Sequence, residues 1–164
     1  MSTLSPNPLA KHFRQPIIYL KLPSQGKWWL EGSVELPVTG ELPIYAMTAR
    51  DEITMRTPDA LLNGSSTVSV IQSCCPSIKD AWKMPSIDVD ATLIAIRIAS
   101  YGHTLEIGTT CVACRHEAEY GLDLRSVIDQ LRSPDYSKNI TYGDLVISFK
   151  PMTYKDQSAT GQLQ

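Results

Sequence analysis

Four cysteines carry most of the chemistry that this 164-residue chain could perform. Cys74 and Cys75 stand side by side, and Cys111 and Cys114 form a C-x-x-C. That spacing lets two thiolates from one tight turn take adjacent corners of a tetrahedron, as structural zinc requires. Zinc needs four ligands, and the sequence has no second C-x-x-C. His116 follows closely on Cys114, His103 would lie across the hairpin, and Cys74 and Cys75 could arrive from a helical segment. The metal reading is therefore one structural zinc on Cys111 and Cys114, completed from Cys74, Cys75 and the histidines, His116 first. No other cofactor is called for. The opposing reading is a hairpin without metal, its cysteines acting as small apolar residues. A thioredoxin-like redox pair would sit at a helix N-terminus after a strand. Here both flanks alternate as strands do.

Other catalytic patterns are absent. Ser24-Gln25-Gly26-Lys27 invites a phosphate-loop reading, but Lys21 and Trp28 stand where Gly and Ser/Thr are needed, so it reads as a turn. Neither G-x-S-x-G nor H-E-x-x-H occurs. Asp88 and Asp90 read as helix-start residues favoured by the helix dipole. The sequence offers no catalytic residue, and the chain reads as a non-enzyme.

Trp28 and Trp29 pose a packing question. In an extended segment, adjacent side chains point to opposite faces, so both cannot enter one core. One is left for another layer or another subunit. Tryptophan is enriched at binding hot spots, so Trp28 and Trp29 are the candidate partner-binding residues.

The elements that must position these residues follow from periodicity and punctuation. Residues 1–15 are rich in Ser, Pro, Asn and Thr and read as a flexible arm. Ile17 to Leu22 suits a strand, and Trp28, Val34, Leu36, Ile44 and Ala46 continue a β meander broken by Pro37, Gly40 and Pro43. Strands interrupted in this way belong at sheet edges. The middle is helical: Thr48 and Asp51 can form a capping box, Thr57-Pro58 can open a short helix that Gly64 closes, and Val68, Ile71 and Cys75 share a face. A longer helix starts near Asp88 or Asp90 and stops at Gly102. Leu93, Ile94, Ile96 and Ile98 make it apolar nearly all round, which predicts the central buried helix. Arg97 would then need a carboxylate, Glu52 or Asp90.

After Gly102 the period changes to two, which predicts a hairpin over residues 103–122 with the C-x-x-C at its turn. Asp123 can cap a helix with a stripe of Leu124, Val127, Ile128 and Leu131, and Leu145, Ile147 and Phe149 suit a closing strand. Residues 151–164 read as a polar tail. The expected fold is one α+β domain over residues 16–150: a proline-interrupted meander, a helical middle and a zinc-ribbon-like hairpin.

Bulk composition narrows the function classes. With 43% hydrophobic and 20% charged residues the chain can build a core. A formal net charge of -2 supplies no basic field for nucleic acid. The longest apolar run, Ala91 to Ala99, contains Arg97 and is far short of the roughly 20 residues that span a membrane. Residues 1–16 hold no signal-peptide core, so the expected workplace is the cytoplasm.

Several stretches, read in order, resemble the baseplate hub assembly family of T4-like contractile-tailed bacteriophages. They are Leu22-Pro23-Ser24-Gln25-Gly26-Lys27, Met47 to Glu52, Pro58 to Gly64, Ser73-Cys74 with Pro76, Pro85 to Asp90 and Ile94 to Gly102. Cys111 and Cys114 ahead of Asp123-Leu124 complete the series. The resemblance covers roughly residues 20–130. It implies a non-enzymatic structural or assembly role in the baseplate or its hub, with other tail proteins as partners, homo-oligomerisation left open, and no membrane. The location it implies is the virion tail, or the host cytoplasm during assembly. The rivals are a zinc-ribbon adaptor for nucleic acid or a polymerase, which needs a basic hairpin face, and a thiol-dependent enzyme, which needs a depressed cysteine pKa.

Overall fold

The computed structural model describes residues 14–57 and 64–161. Two strands, β1 (Ile18–Lys21) and β2 (Glu41–Ile44), pair antiparallel with Leu20 opposite Leu42 and Ile18 opposite Ile44. Their period of two turns Leu20, Leu42 and Ile44 into the core and leaves Tyr19, Lys21 and Glu41 in solvent. Pro43 is tolerated because a two-stranded sheet is all edge.

The expected meander does not form. Residues 23–28 are turns, with Gln25, Gly26 and Trp28 all at positive φ, so Trp28-Trp29 does not open a strand. Val34 makes an isolated bridge to Ile78, and the Lys79 N–H donates to the Ser33 carbonyl at 2.9 Å. The β1–β2 connection is thus sewn onto a distant loop instead of onto its neighbours.

Helix α1 (Ala49–Met55) opens on the capping box that its sequence suggests. The Asp51 N–H donates to Thr48 Oγ1 at 3.3 Å, and the Thr48 N–H donates to Asp51 Oδ2 at 2.8 Å. Helix α2 (Ser65–Cys74) follows Gly64 and buries Val68, Val70, Ile71 and Cys74. Gly64 opens this helix at φ 76, and the helix expected just before it lies outside the described residues.

The centre is α3, Ser86–Tyr101, 16 residues long. It buries Asp88, Val89, Ala91, Thr92, Ala95, Ile96 and Ile98 against α2, the β1–β2 pair and two later helices. Ala91 and Ala95 carry no bulk, which lets those neighbours come close. Gly102, at φ 88, ends the helix where the sequence places its end. Each fully buried Leu or Ile here contributes about 1.5–3 kcal/mol.

Arg97 is half-buried and needs no carboxylate. Its guanidinium donates to the Gly102 carbonyl at 3.2 Å and lies 4.8 Å from the Tyr101 ring centroid. Tyr101 in turn donates to Glu52 Oε1 at 3.0 Å.

Two antiparallel hairpins complete the sheet content: β3 (Thr104–Thr110) with β4 (Glu117–Asp123), and β5 (Ile140–Tyr142) with β6 (Leu145–Ile147). Between them lies α4 (Leu124–Gln130), capped by Asp123 as expected. No side chain of either hairpin joins the described hydrophobic core. The segment read as a closing strand therefore closes nothing; it is half of a separate ribbon.

The segment read as a tail folds back. Thr153 and Asp156 form a second capping box, and α5 (Tyr154–Gly161) follows. Tyr154 stacks on Trp82 with ring centroids 5.7 Å apart, and its N–H donates to the Met84 carbonyl at 2.8 Å. The expected arm also needs amending at its end. Arg14 donates to the carbonyls of Ser73, at 2.8 Å, and Ala46, and its Nη2 lies 3.7 Å from Asp51 Oδ2. Residues 1–13 lie outside the described residues.

Candidate functional site

The C-x-x-C sits at the tip of the β3–β4 hairpin. Thr110 and Glu117 are the last paired residues, and Cys111 to His116 make the turn. The Cys111 N–H donates to the His116 carbonyl at 2.9 Å, and the Arg115 N–H donates to the Cys111 carbonyl at 2.8 Å. Arg115 adopts the left-handed conformation, φ 56, that tightens the turn just after Cys114. Backbone hydrogen bonds from Cys114 and Ala113 to the Cys111 thiol, with a contact from the Cys114 side chain, hold its pKa below the usual thiol value. Both cysteines are free and exposed.

The other two thiols are elsewhere. Cys74 and Cys75 end α2 inside the hydrophobic core. Burial pushes the Cys74 pKa up and that of Cys75 to about 11, so both stay thiols. Arg14 Nη2 donates to Cys74 Sγ at 3.4 Å. Among the described residues no group of three or more His, Cys, Asp and Glu side chains is placed to hold a metal ion. The four-ligand set anticipated from Cys111, Cys114, Cys74, Cys75 and His116 is thus not assembled among the described residues. Core packing claims one cysteine pair, and the hairpin carries the other away from it.

The two tryptophans part company. The Trp29 indole N–H donates to Asp88 Oδ2 at 2.7 Å, and its ring packs against the core. Trp28 is exposed and meets Tyr136 edge-on, with ring centroids 5.8 Å apart. Asp88 also accepts from the Ser24 N–H at 3.0 Å and from the Ser24 hydroxyl. Burial raises the Asp88 pKa, and the hydrogen bonds from Ser24 and Trp29 oppose that shift. More than a helix-start residue, this carboxylate pins the Ser24–Trp29 turn to the first turn of α3.

A surface that the sequence did not announce lies on β5–β6. Tyr142 is 78% exposed, Leu145 65% and Val146 67%, with Ile140, Ile147 and Phe149 also exposed. Polar residues normally occupy such positions on a free two-stranded ribbon, which is marginal by itself. The signal was present in the run Leu145-Val146-Ile147, which cannot put all its side chains on one face of a strand.

These parts, a buried carboxylate lock and two ribbons standing clear of the core, can be set beside known proteins. The model of the T4 bacteriophage base plate protein family matches residues 17–162, which spans all the described elements. The chain belongs to this family. Comparison with curated proteins and with solved structures gives no match.

As a baseplate protein the chain has a structural role in the phage tail. The family match takes in α5 and the β5–β6 ribbon, beyond the roughly 20–130 covered by the quoted motifs. Those motifs acquire physical roles. Ser24 and Asp88 lock together, Thr48 and Asp51 cap α1, and Gly102 stops α3. No helix among the described residues is long and apolar enough to cross a membrane.

Proposed function

We propose that this baseplate protein acts at the hub, as a structural or assembly component that binds neighbouring tail proteins and catalyses nothing. The observation that carries the reading is the β5–β6 ribbon, whose large apolar side chains are exposed on both faces. Exposed apolar surface of this kind marks a binding site, and the family supplies the class of occupant. Trp28 and Tyr136 offer a second contact point, while Trp29 is committed to Asp88.

The non-enzymatic part rests on the baseplate family. The hairpin gives no support to the nucleic-acid adaptor. The register puts Glu106, Glu117, Glu119 and Asp123 on one face, which would repel phosphate.

The test is complementation. A phage lacking this chain is supplied with the wild type, or with a Tyr142→Asp/Leu145→Asp variant, and baseplates are counted by electron microscopy. Baseplates restored by the wild type but not by the folded variant uphold the reading. Equal restoration by both contradicts it.

A further inference from the structure

We propose that the Cys111–Cys114 turn is half of a zinc site, completed by the same turn of a second copy of this chain. Three features of the tip point there. Cys111 and Cys114 come from one turn, and both are exposed. Two cysteines at this spacing can take adjacent corners of one tetrahedron. Arg115 closes the turn at φ 56, a conformation disfavoured for a residue with a side chain. The Cys111 carbonyl fixes it there by accepting from the Arg115 N–H at 2.8 Å. The thiol pair is thus held in place before any ligand arrives.

The third feature is what the tip lacks. Structural zinc takes four ligands and is closed to water, yet no third His, Cys, Asp or Glu joins the pair among the described residues. Cys74 and Cys75, the remaining thiols, are fully buried in the core. Val112, between the two ligands, is 100% exposed, an apolar side chain at the outermost point of a ribbon. A second copy related by a two-fold axis supplies two more thiolates in the same geometry and covers Val112 with its own counterpart. The two tips then close a four-thiolate tetrahedron that neither could close alone. This inference stands apart from the hub reading, since it requires only the chain itself and a metal ion.

The test uses the purified full chain in reductant, titrated with zinc alone and followed by light scattering and metal analysis. The expected result is about one zinc per two chains, a dimer mass and reversal by chelator. Cobalt in place of zinc should give the absorption of a four-sulfur tetrahedral site. Cys111→Ser and Cys114→Ser should each stay monomeric and bind no zinc. Their melting temperature should match that of the metal-free wild type, since the tip contributes nothing to the core. A monomer with one zinc per chain, a cobalt spectrum with fewer than four sulfurs, or no binding by the folded wild type would each overturn the proposal.

Discussion

The indole N–H of Trp29 and the carboxylate of Asp88 lie 59 residues apart in sequence and meet at 2.7 Å in the fold. With Ser24 they form one buried polar knot that holds the β1–β2 connection on the central helix. Because the carboxylate is out of water, every donor around it depends on its presence.

Asp88→Ala strands the Ser24 and Trp29 donors and leaves a hole. A loss of about 2–4 kcal/mol is expected, read as a lower urea midpoint. Trp29→Phe removes one donor and keeps the ring, so it should cost about 1–2 kcal/mol. A midpoint unchanged in both variants would show that the knot does not hold the turn.

Titration gives an independent check of the same group. Burial raises the Asp88 pKa in the fold, so the folded state holds its proton more tightly than the unfolded chain does. The resulting contribution is full below the unfolded value, 3.8, and is lost as pH rises through the folded value. The stability gap between wild type and Asp88→Asn should therefore widen as pH falls from about 7 towards about 4. Urea unfolding across that range measures it, and a gap that narrows on acidification contradicts the burial account.

Arg14 and the Thr48 cap converge on Asp51. Burial alone would raise the Asp51 pKa, but hydrogen bonds from Thr48 and Ser73 and the charge of Arg14 bring it below 3.8. Its contribution is present above 3.8 and is lost as pH falls through the lower folded value. Thr48→Ala should cost about 0.5–2 kcal/mol at neutral pH. Its thermal midpoint should also depend less steeply on acid than that of the wild type.

Thiol chemistry separates the two cysteine pairs. In the native protein a water-soluble thiol reagent should modify Cys111 and Cys114, Cys111 the faster of the two. Cys74 and Cys75 should react only after denaturation. Peptide mapping of the labelled sites checks the order. Rapid native labelling of Cys74 or Cys75 would mean that α2 does not bury them.

What the sequence revealed was mostly local. Thr48 with Asp51, Asp123 before Leu124, Gly102 after α3 and the C-x-x-C between alternating runs each act within a few residues, where spacing alone decides geometry. What it hid was long-range. Asp88 reads as a helix-start residue until Ser24, 64 positions away, is seen bonded to it. Arg97 reads as buried until Tyr101 and Gly102 take its guanidinium at the helix end. One miss was avoidable, since Thr153 and Asp156 repeat the Thr48–Asp51 pattern and announce α5 by the same rule. The separation of Cys74 and Cys75 from the hairpin could not be read from spacing, because only packing decides which thiols are buried.

The most direct test of the contact account is a binding measurement with defined partners. The purified chain is titrated against each purified hub protein of the same phage, alongside Leu145→Asp and Ile147→Asp. Both substitutions are on an exposed ribbon, so stability should change by no more than about 0.5 kcal/mol. At least one hub protein should bind the wild type, and each substitution should weaken that binding by about tenfold or more, equivalent to about 1.4 kcal/mol. Binding that is unaffected by either substitution, or no binding to any hub protein, would contradict the account.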